Sequence, residues 1–425
     1  MLTTSLVMGT LMVLIILRVP VVFAIGTAVC LYFVHAGLPS SSIAIRMTSA
    51  IDSSVLVAIP LYLMAAEFMN RSGATDKLLV ATETMLSWMR GNLAQTNVLS
   101  SLIFAGMSGS ALADAAGTGK IMIPAMKERG YDPGYSAGIT AATAVVGPIF
   151  PPSIPMIVFG AITGTSVGAL FLGGILPGLL LTAVLMIWTW FQVRKMNLRE
   201  KIEPFNFVKV GRAILDALLP LSTPIIIMSG IVFGIMTPTE AGAVAAIYAA
   251  AIGMVVYRNL SLREIFDGVC QAMVDTAAVM ALLAIAAVLG WIITIEGLAG
   301  EVSAFLGGEN ASYVTVIVFI NIVLLFAGMF MDATAAMLVF VPVLAPIALD
   351  AGMSPVQFGV MVVVNLSIGV VTPPVGFCLF VTAAAAKIPV GDVIRATVPF
   401  LIPLLLVLAA VSAFPWLTLW LASYI

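Results

Sequence analysis

The sequence predicts an all-α polytopic membrane protein made of two inverted repeats, each with full spans, one re-entrant helical hairpin and one broken transmembrane helix. Three observations carry this. The first is composition: 62% of the 425 residues are hydrophobic, 9% are charged, and the mean hydropathy is +1.17, far outside the range of soluble domains. The second is a repeated punctuation inside apolar tracts. Ten residues separate Asp114 from Pro124 in DAAGTGKIMIP and Asp332 from Pro342 in DATAAMLVFVP, and eighteen separate Pro133 from Pro151-Pro152 and Pro355 from Pro373-Pro374. The third is the placement of the basic residues, which puts nearly all of them on one face.

A spanning helix needs roughly 20 apolar residues. On that measure the full spans fall near 2–17, 20–36, 54–70, 168–193, 213–236, 239–257, 274–295 and 397–422. The opening stretch MLTTSLVMGTLMVLIILRVP lacks a basic n-region and a clear small-residue cleavage site, so it reads as a retained first span. Four tracts differ, because Gly, Ser, Asp or Pro interrupts each in the middle. Of these, 92–129 and 310–349 read as re-entrant hairpins, and 134–165 and 356–386 as broken spans. Leu262, Ile265, Phe266, Val269 and Met273 form an apolar stripe at helical spacing and predict a surface helix in the membrane interface. Leu78, Leu79, Met85, Leu86 and Met89 repeat the pattern in the first half. A polar linker, 194–212, joins the halves, and its Pro204 argues against one continuous helix.

Threading the chain in this way places sixteen of the eighteen Lys and Arg on one face; Arg46 alone is opposite, and Lys120 lies within the first hairpin. By the positive-inside rule the rich face is cytoplasmic and both termini lie outside. The first hairpin then opens to the cytoplasm and the second to the outside, and the stretch 297–354 has no Lys or Arg. Twelve complete spans would scatter the charges instead. The offset between the halves is 218 residues for Pro20/Pro238, Asp114/Asp332 and Pro124/Pro342, and 222 for Pro133/Pro355 and Pro151/Pro373, which predicts a four-residue insertion in the second half.

The interruptions carry the chemistry. The first tip is GMSGSALADAAGTG, 106–119. Unsatisfied backbone in hydrocarbon costs several kcal/mol, so such a tip must line a polar cavity or be buried in protein. Paired, interrupted helices near the bilayer midplane are where secondary transporters place their sites. Freed carbonyls and the hydroxyls of Ser108 and Ser110 suit a small cation, and helix N-termini at the break suit an anion. Asp114 is an intramembrane carboxylate, a rare group with a functional reading, set against a structural one in which Asp114 and Asp332 cap the second helix of each hairpin. The matching span has GPIFPPSIP, 147–155, where Ser153 is placed to donate to substrate and the carbonyls around Gly147 to hold an ion. The second half has GMFMDATAA, 328–336, and GVVTPPVG, 369–376, with Asp332, Thr334 and Thr372 as its polar groups. Lys120 reads as paired or snorkelling, and Glu67, Glu240 and Asp275 as solvated or paired near the interfaces.

Other classes fit poorly. A net charge of −2 gives a nucleic-acid partner no support, and Cys30, Cys270 and Cys378 lack metal-ligand spacing and form no disulfide framework. The 24 Met residues read as packing filler.

The motifs GMSGSALAD, GPIFPPSIP, MTPTEAGAVAA at 236–246, GMFMDATAA and VVTPPVG resemble the large membrane subunit of tripartite ATP-independent periplasmic (TRAP) transporters, the DctM type, over essentially the whole chain. The resemblance implies an elevator-type fold like that of the ion-transporter superfamily, in the bacterial inner membrane, driven by sodium ions. Scaffold would comprise 1–91, 166–309 including the linker, and 387–425; the transport domain would comprise 92–165 and 310–386. By position, sodium would be held by Ser108, Gly109 and Ser110 with Gly147, and by Gly328, Asp332 and Thr334 with Gly369 and Thr372. Asp114 would have an ion or structural role. Substrate would contact Ser108, Ser153 and Asp332. The implied partners are a small four-helix membrane subunit, a periplasmic substrate-binding protein, a small organic acid and the lipid bilayer, with no nucleic acid. Sialic acid is preferred over a C4-dicarboxylate because the first-tip serines and Ser153 suit a polyhydroxylated ligand.

Two further readings compete with this one. Gly106-Met107-Ser108-Gly109 matches the GxSG of intramembrane serine proteases, but the one histidine, His35, is predicted at the outer end of the second span, far from a tip serine that would need a base. A stand-alone sodium/carboxylate cotransporter would share the fold and differ by needing no binding protein.

Overall fold

The structure, a computed structural model, describes residues 7, 9–14, 17, 19–196, 198, 202–308 and 312–424. Half of the expected first span at 2–17, together with Arg18, Arg199 and Lys201, lies outside the described residues. Every regular element among the described residues is helical.

The first hairpin is α5 (Asn92–Ser108) and α6 (Ala111–Glu128). The turn between them needs only two residues. Gly109 takes a left-handed conformation at φ +60, which costs glycine little, and Ser110 caps α6 by accepting the Ala113 N–H at 3.5 Å. The second hairpin is α15 (Tyr313–Phe330) and α16 (Ala333–Asp350), where Asp332 caps α16 by accepting the Thr334 N–H at 2.9 Å. The first broken span is α7 (Pro133–Ala144) and α8 (Ile154–Thr163), and the second is α17 (Pro355–Gly369) and α18 (Phe377–Ala386). Proline supplies no N–H to continue a helix, and both Pro-Pro pairs lie in the gaps, each with a cis bond.

These elements interlock across the repeats. α8 packs on α16 and α17, while α18 packs on α6 and α7, so each broken span leans on the other half. Two long helices join this body: α9 (Val167–Val193) and α19 (Val390–Ala413). α9 contacts α5, α8 and α17, and α19 contacts α7, α17 and α18. These two helices, which the expected grouping places with the scaffold, thus pack against the hairpins and broken spans. The reason is a glycine-lined face: side chains on Gly173, Gly174 and Gly178 would run into Val356, Met156 and Phe150 respectively, so α9 sits directly against both broken spans.

A second group forms around α1 (Val21–His35), α3 (Ala58–Arg71), α12 (Pro238–Ala251) and α13 (Leu262–Ile295). α3 packs most closely on α12 and α13. Here the repeats differ. α2 (Ser41–Ile51) and the following helix are bent by 62° at Asp52-Ser53, whereas α13 is one unbroken helix of 34 residues. The interfacial helix expected at 262–273 is therefore the first third of a longer one, because nothing between Met273 and Asp275 breaks it. Likewise α10 (Phe207–Asp216) turns by 64° into α11 (Leu218–Val232), inside the expected 213–236 span. The last expected span, 397–422, begins earlier as α19 and breaks at Phe414-Pro415 before α20 (Trp416–Ala422).

Side-chain contacts gather the basic segments at one end of the molecule. Lys77 lies over the Tyr257 ring at 3.9 Å, Arg129 pairs with Glu83 at 2.6 Å, Arg90 reaches the Met196 carbonyl at 3.0 Å and Lys127 the Ala386 carbonyl at 3.3 Å. At the other end Tyr32 donates to Glu296 at 2.8 Å, and Arg46 stacks on Trp291. The first hairpin opens toward the basic end, where Gly91 meets Val193 and Arg129 meets Glu83. The second opens toward the other end, where α16 packs on α14 (Leu298–Phe305). The two hairpins are thus oppositely directed and meet at their tips.

Candidate functional site

The tips meet at a cavity of about 260 Å³. Ser108, Gly109, Ser110, Asp332 and Thr334 line it, as do the first residues of α6, α8 and α16: Ala111, Ile154 and Ala333. Three helix N-termini, capped by Ser110, Ser153 and Asp332, therefore border one space with their positive dipole ends, an environment that suits an anion. The opposite wall comes from the second group. Leu63, Ala66, Glu67 and Asn70 share one face of α3, and Asp275 and Val279 are one turn apart on α13.

Behind the first tip lies a buried polar pocket. The Ser108 hydroxyl donates to Asp114 Oδ1 at 2.5 Å, and Ser108 Oγ also accepts the Ser110 N–H at 3.5 Å. Asp114 Oδ2 is buried with no hydrogen-bond partner, and it occupies the space a side chain on Gly147 would need. A buried carboxyl oxygen without a partner is costly, and a cation or a proton could satisfy it. Gly109 seals the tip against the break: a methyl there would lie 2.6 Å from the Pro152 carbonyl oxygen.

The second half closes differently. A methyl on Gly328 would lie 3.0 Å from the Gly369 α-carbon, and one on Gly369 would lie 2.6 Å from the Gly328 α-carbon. Backbone rests on backbone, with the Gly376 N–H donating to the Met329 carbonyl at 3.2 Å. Thr372 turns its hydroxyl to the Ile368 carbonyl at 2.7 Å. In each half an asparagine of the first hairpin arm clamps the broken span: Asn97 donates to Thr140 at 2.7 Å, and Asn365 donates to Asn321 at 2.8 Å.

The structure departs from the sequence pattern in the register of the two halves. Structurally, Ser110 and Asp332 are equivalent, both capping the second arm, and Gly106, Gly147 and Pro151 stand 222 residues before Gly328, Gly369 and Pro373. The four-residue shift therefore falls before the hairpins, and Asp114 and Asp332 are not counterparts; Ala336 occupies the position of Asp114. Their equal spacing to Pro124 and Pro342 misled because α16 has a second proline, Pro346, which is the true partner of Pro124. Asp332 caps its helix and also lines the cavity. Asp114 caps nothing.

Ser153 is not brought to the cavity. It is fully buried, caps α8 by accepting the Met156 N–H at 3.3 Å, and donates to the Pro148 carbonyl. Gly147, Gly328, Gly369 and Thr372 also stand away from the cavity wall, at the joints between hairpin and broken span. Conversely, Glu67, Asn70 and Asp275 line the cavity, which interface placement missed. The signal was the i, i+3, i+4, i+7 spacing of Leu63, Ala66, Glu67 and Asn70 on one helix face. His35 is exposed, at the end of α1 near Glu296 and away from Ser108, so no nucleophile–base pair forms there.

Residues 8–417 match the family described as "Tripartite ATP-independent periplasmic transporter, DctM component". The chain is 38% identical over 378 residues to a sialic acid TRAP transporter large permease of Vibrio cholerae, covering 88% of this chain and 87% of that one. It is 36% identical over 386 residues to the C4-dicarboxylate TRAP large permease of Pseudomonas aeruginosa, covering 90% of each. To an isethionate TRAP permease, DctMQ, of Oleidesulfovibrio alaskensis it is 36% identical, spanning 98% of this chain but 66% of that longer protein. Among solved structures, the YdaH transporter of Alcanivorax borkumensis superposes with a TM-score of 0.60 at 15% identity over 88% of this chain and 87% of that one. MtrF of Neisseria gonorrhoeae gives 0.51 at 12% identity, over 88% and 82%.

Proposed function

Because the chain belongs to the DctM component family of tripartite ATP-independent periplasmic transporters, a multi-pass permease family for organic acids rather than an enzyme, we propose that it imports an organic acid by a sodium-driven elevator movement. The observation that carries this is the single cavity shared by two oppositely directed hairpin tips, with three helix N-termini aimed into it. An anion there is held by backbone dipoles of one interlocked body, so it can travel with that body.

Sodium is assigned first to the pocket of Ser108, Asp114 and Gly147, where the partnerless Asp114 Oδ2 offers a charged oxygen. A second place is the joint of Gly328 and Gly369, flanked by Thr372 and by Asp332 with Thr334. The relatives named for sialic acid, C4-dicarboxylate and isethionate are similarly close, at 36–38%, so identity does not select the substrate. The first-tip serines keep sialic acid as the preferred candidate, now without the support of Ser153. Partners follow the same reading: a small four-helix membrane subunit, which relatives of greater length such as DctMQ accommodate, and a periplasmic binding protein. The basic end is assigned to the cytoplasm of an inner-membrane protein.

Uptake into proteoliposomes holding the chain, its small subunit and the loaded binding protein tests this. An inward sodium gradient should drive uptake of sialic acid, succinate or isethionate; unchanged uptake with choline in place of sodium sinks the coupling. Equal transport of free substrate without a binding protein would favour the stand-alone cotransporter.

A further inference from the structure

We propose that Glu67 and Asp275, on the α3 and α13 wall, repel the substrate anion in the arrangement seen here and so drive its release on the cytoplasmic side; this rests on the transport reading above. The cavity has two unlike walls. On one side stand three helix N-termini, which attract an anion, with the Asp332 carboxylate capping one of them and moving with that side. On the other stand Glu67 and Asp275, and among the described residues no Lys, Arg or His lines the cavity at all. Glu67 is partly balanced by Arg71 at 3.1 Å. Asp275 makes no ion pair among the described residues and accepts only the Gln271 amide, at 3.0 Å.

The position of these carboxylates gives the repulsion a direction. Glu67 lies in the last turn of α3, beside Arg71, and Asp275 in the part of α13 nearer the basic end. Ile295, the far end of α13, is 20 residues beyond Asp275, about 30 Å at 1.5 Å per residue. The tips thus face the C-terminal half of α3, toward the basic end, and the middle of α13, with about 30 Å of α13 beyond Asp275 toward the other end. Travel toward the other end would carry them along Leu282, Leu283, Ala284, Ile285 and Ala286, a stretch with no charged residue. The anion meets Glu67 and Asp275 only at the cytoplasmic end of that path, where like-charge repulsion opposes it. Affinity is lowered there and untouched at the other end.

The same structure supplies a way to hold the arrangement. A β-carbon on Gly290 would lie 3.5 Å from the Pro342 β-carbon, within reach of a disulfide. Gly290→Cys with Pro342→Cys, in a chain whose Cys30, Cys270 and Cys378 are replaced by Ala, should lock the cytoplasm-facing arrangement. Equilibrium binding of labelled sialic acid, succinate and isethionate to the locked chain in nanodiscs is then compared with uptake by the unlocked complex. Asp275→Asn should tighten binding to the locked chain about three- to tenfold, leave the uptake KM unchanged and lower kcat, because release is slowed. Asp275→Glu should keep the wild-type values, and Glu67→Gln should act in the same direction as Asp275→Asn. Binding to the locked chain unchanged in both neutralised variants, or a uptake KM that shifts in step with it, overturns the proposal. Failure of the wild-type complex to transport any of the three probes overturns the transport reading itself.

Discussion

Ser108 donates its hydroxyl to Oδ1 of Asp114 at 2.5 Å, while Oδ2 of the same carboxylate stays buried and partnerless against Gly147. The pair binds the tip of the first hairpin to its own second arm and leaves one carboxyl oxygen facing the break in the neighbouring span.

If that oxygen holds sodium, Asp114→Asn should raise the sodium concentration for half-maximal uptake about tenfold, the loss of roughly 1–2 kcal/mol of ion binding. Ser108→Ala should act in the same direction with a smaller effect. Sodium titration of uptake measures both. A wild-type sodium curve in Asp114→Asn would return that residue to a packing role.

Adding a methyl at the joints should be costly, and unequally so. Gly369→Ala would place carbon 2.6 Å from the Gly328 backbone, which cannot rotate aside as a side chain can. Overpacking of this kind costs typically 1–3 kcal/mol. Thermal unfolding in detergent should show a larger loss for Gly369→Ala than for Gly147→Ala, which meets the side chain of Asp114.

Asp332 combines two roles that substitutions can separate. Asp332→Ala removes the cap of α16, worth about 1 kcal/mol, together with the charge at the cavity. Asp332→Ser preserves a capping oxygen and removes only the charge. Melting temperature should fall in the first and recover in the second, while uptake should stay impaired in both. Full uptake by Asp332→Ser would show that the cap alone matters.

Gly106 lies against the ring of Pro224 on α11, where a methyl would come within 2.7 Å of it. Gly106→Ala should therefore press the hairpin away from this seat and slow uptake severalfold, about 1 kcal/mol of strain. Pro224→Ala, by removing the ring, should restore much of the rate in the double variant. Absence of rescue would locate the damage in the tip itself.

Much of the fold was legible because membrane physics constrains it tightly. Apolar tracts of the right length must be helical, and glycine or proline in their middle must break them, so the hairpins at 92–129 and 310–349 and the broken spans at 134–165 and 356–386 could be read from residue type alone. The bias of Lys and Arg also foretold that the hairpins open in opposite directions. The register between the halves was less legible, since two prolines in α16 offered two alignments and spacing favoured the wrong one.

The site divides along the same line. The sequence by itself determined that Ser108, Ser110 and Asp332 sit at interruptions, because backbone polarity forbids such stretches from facing lipid. Only the tertiary structure decided which groups meet there: that Ser153 is consumed in capping α8, that Asp114 turns toward Gly147, and that Glu67 and Asp275 close the cavity from α3 and α13. Local chemistry determines where a helix must stop. Which side chains then face one another depends on packing between segments some 200 residues apart, and no spacing within a single helix encodes it.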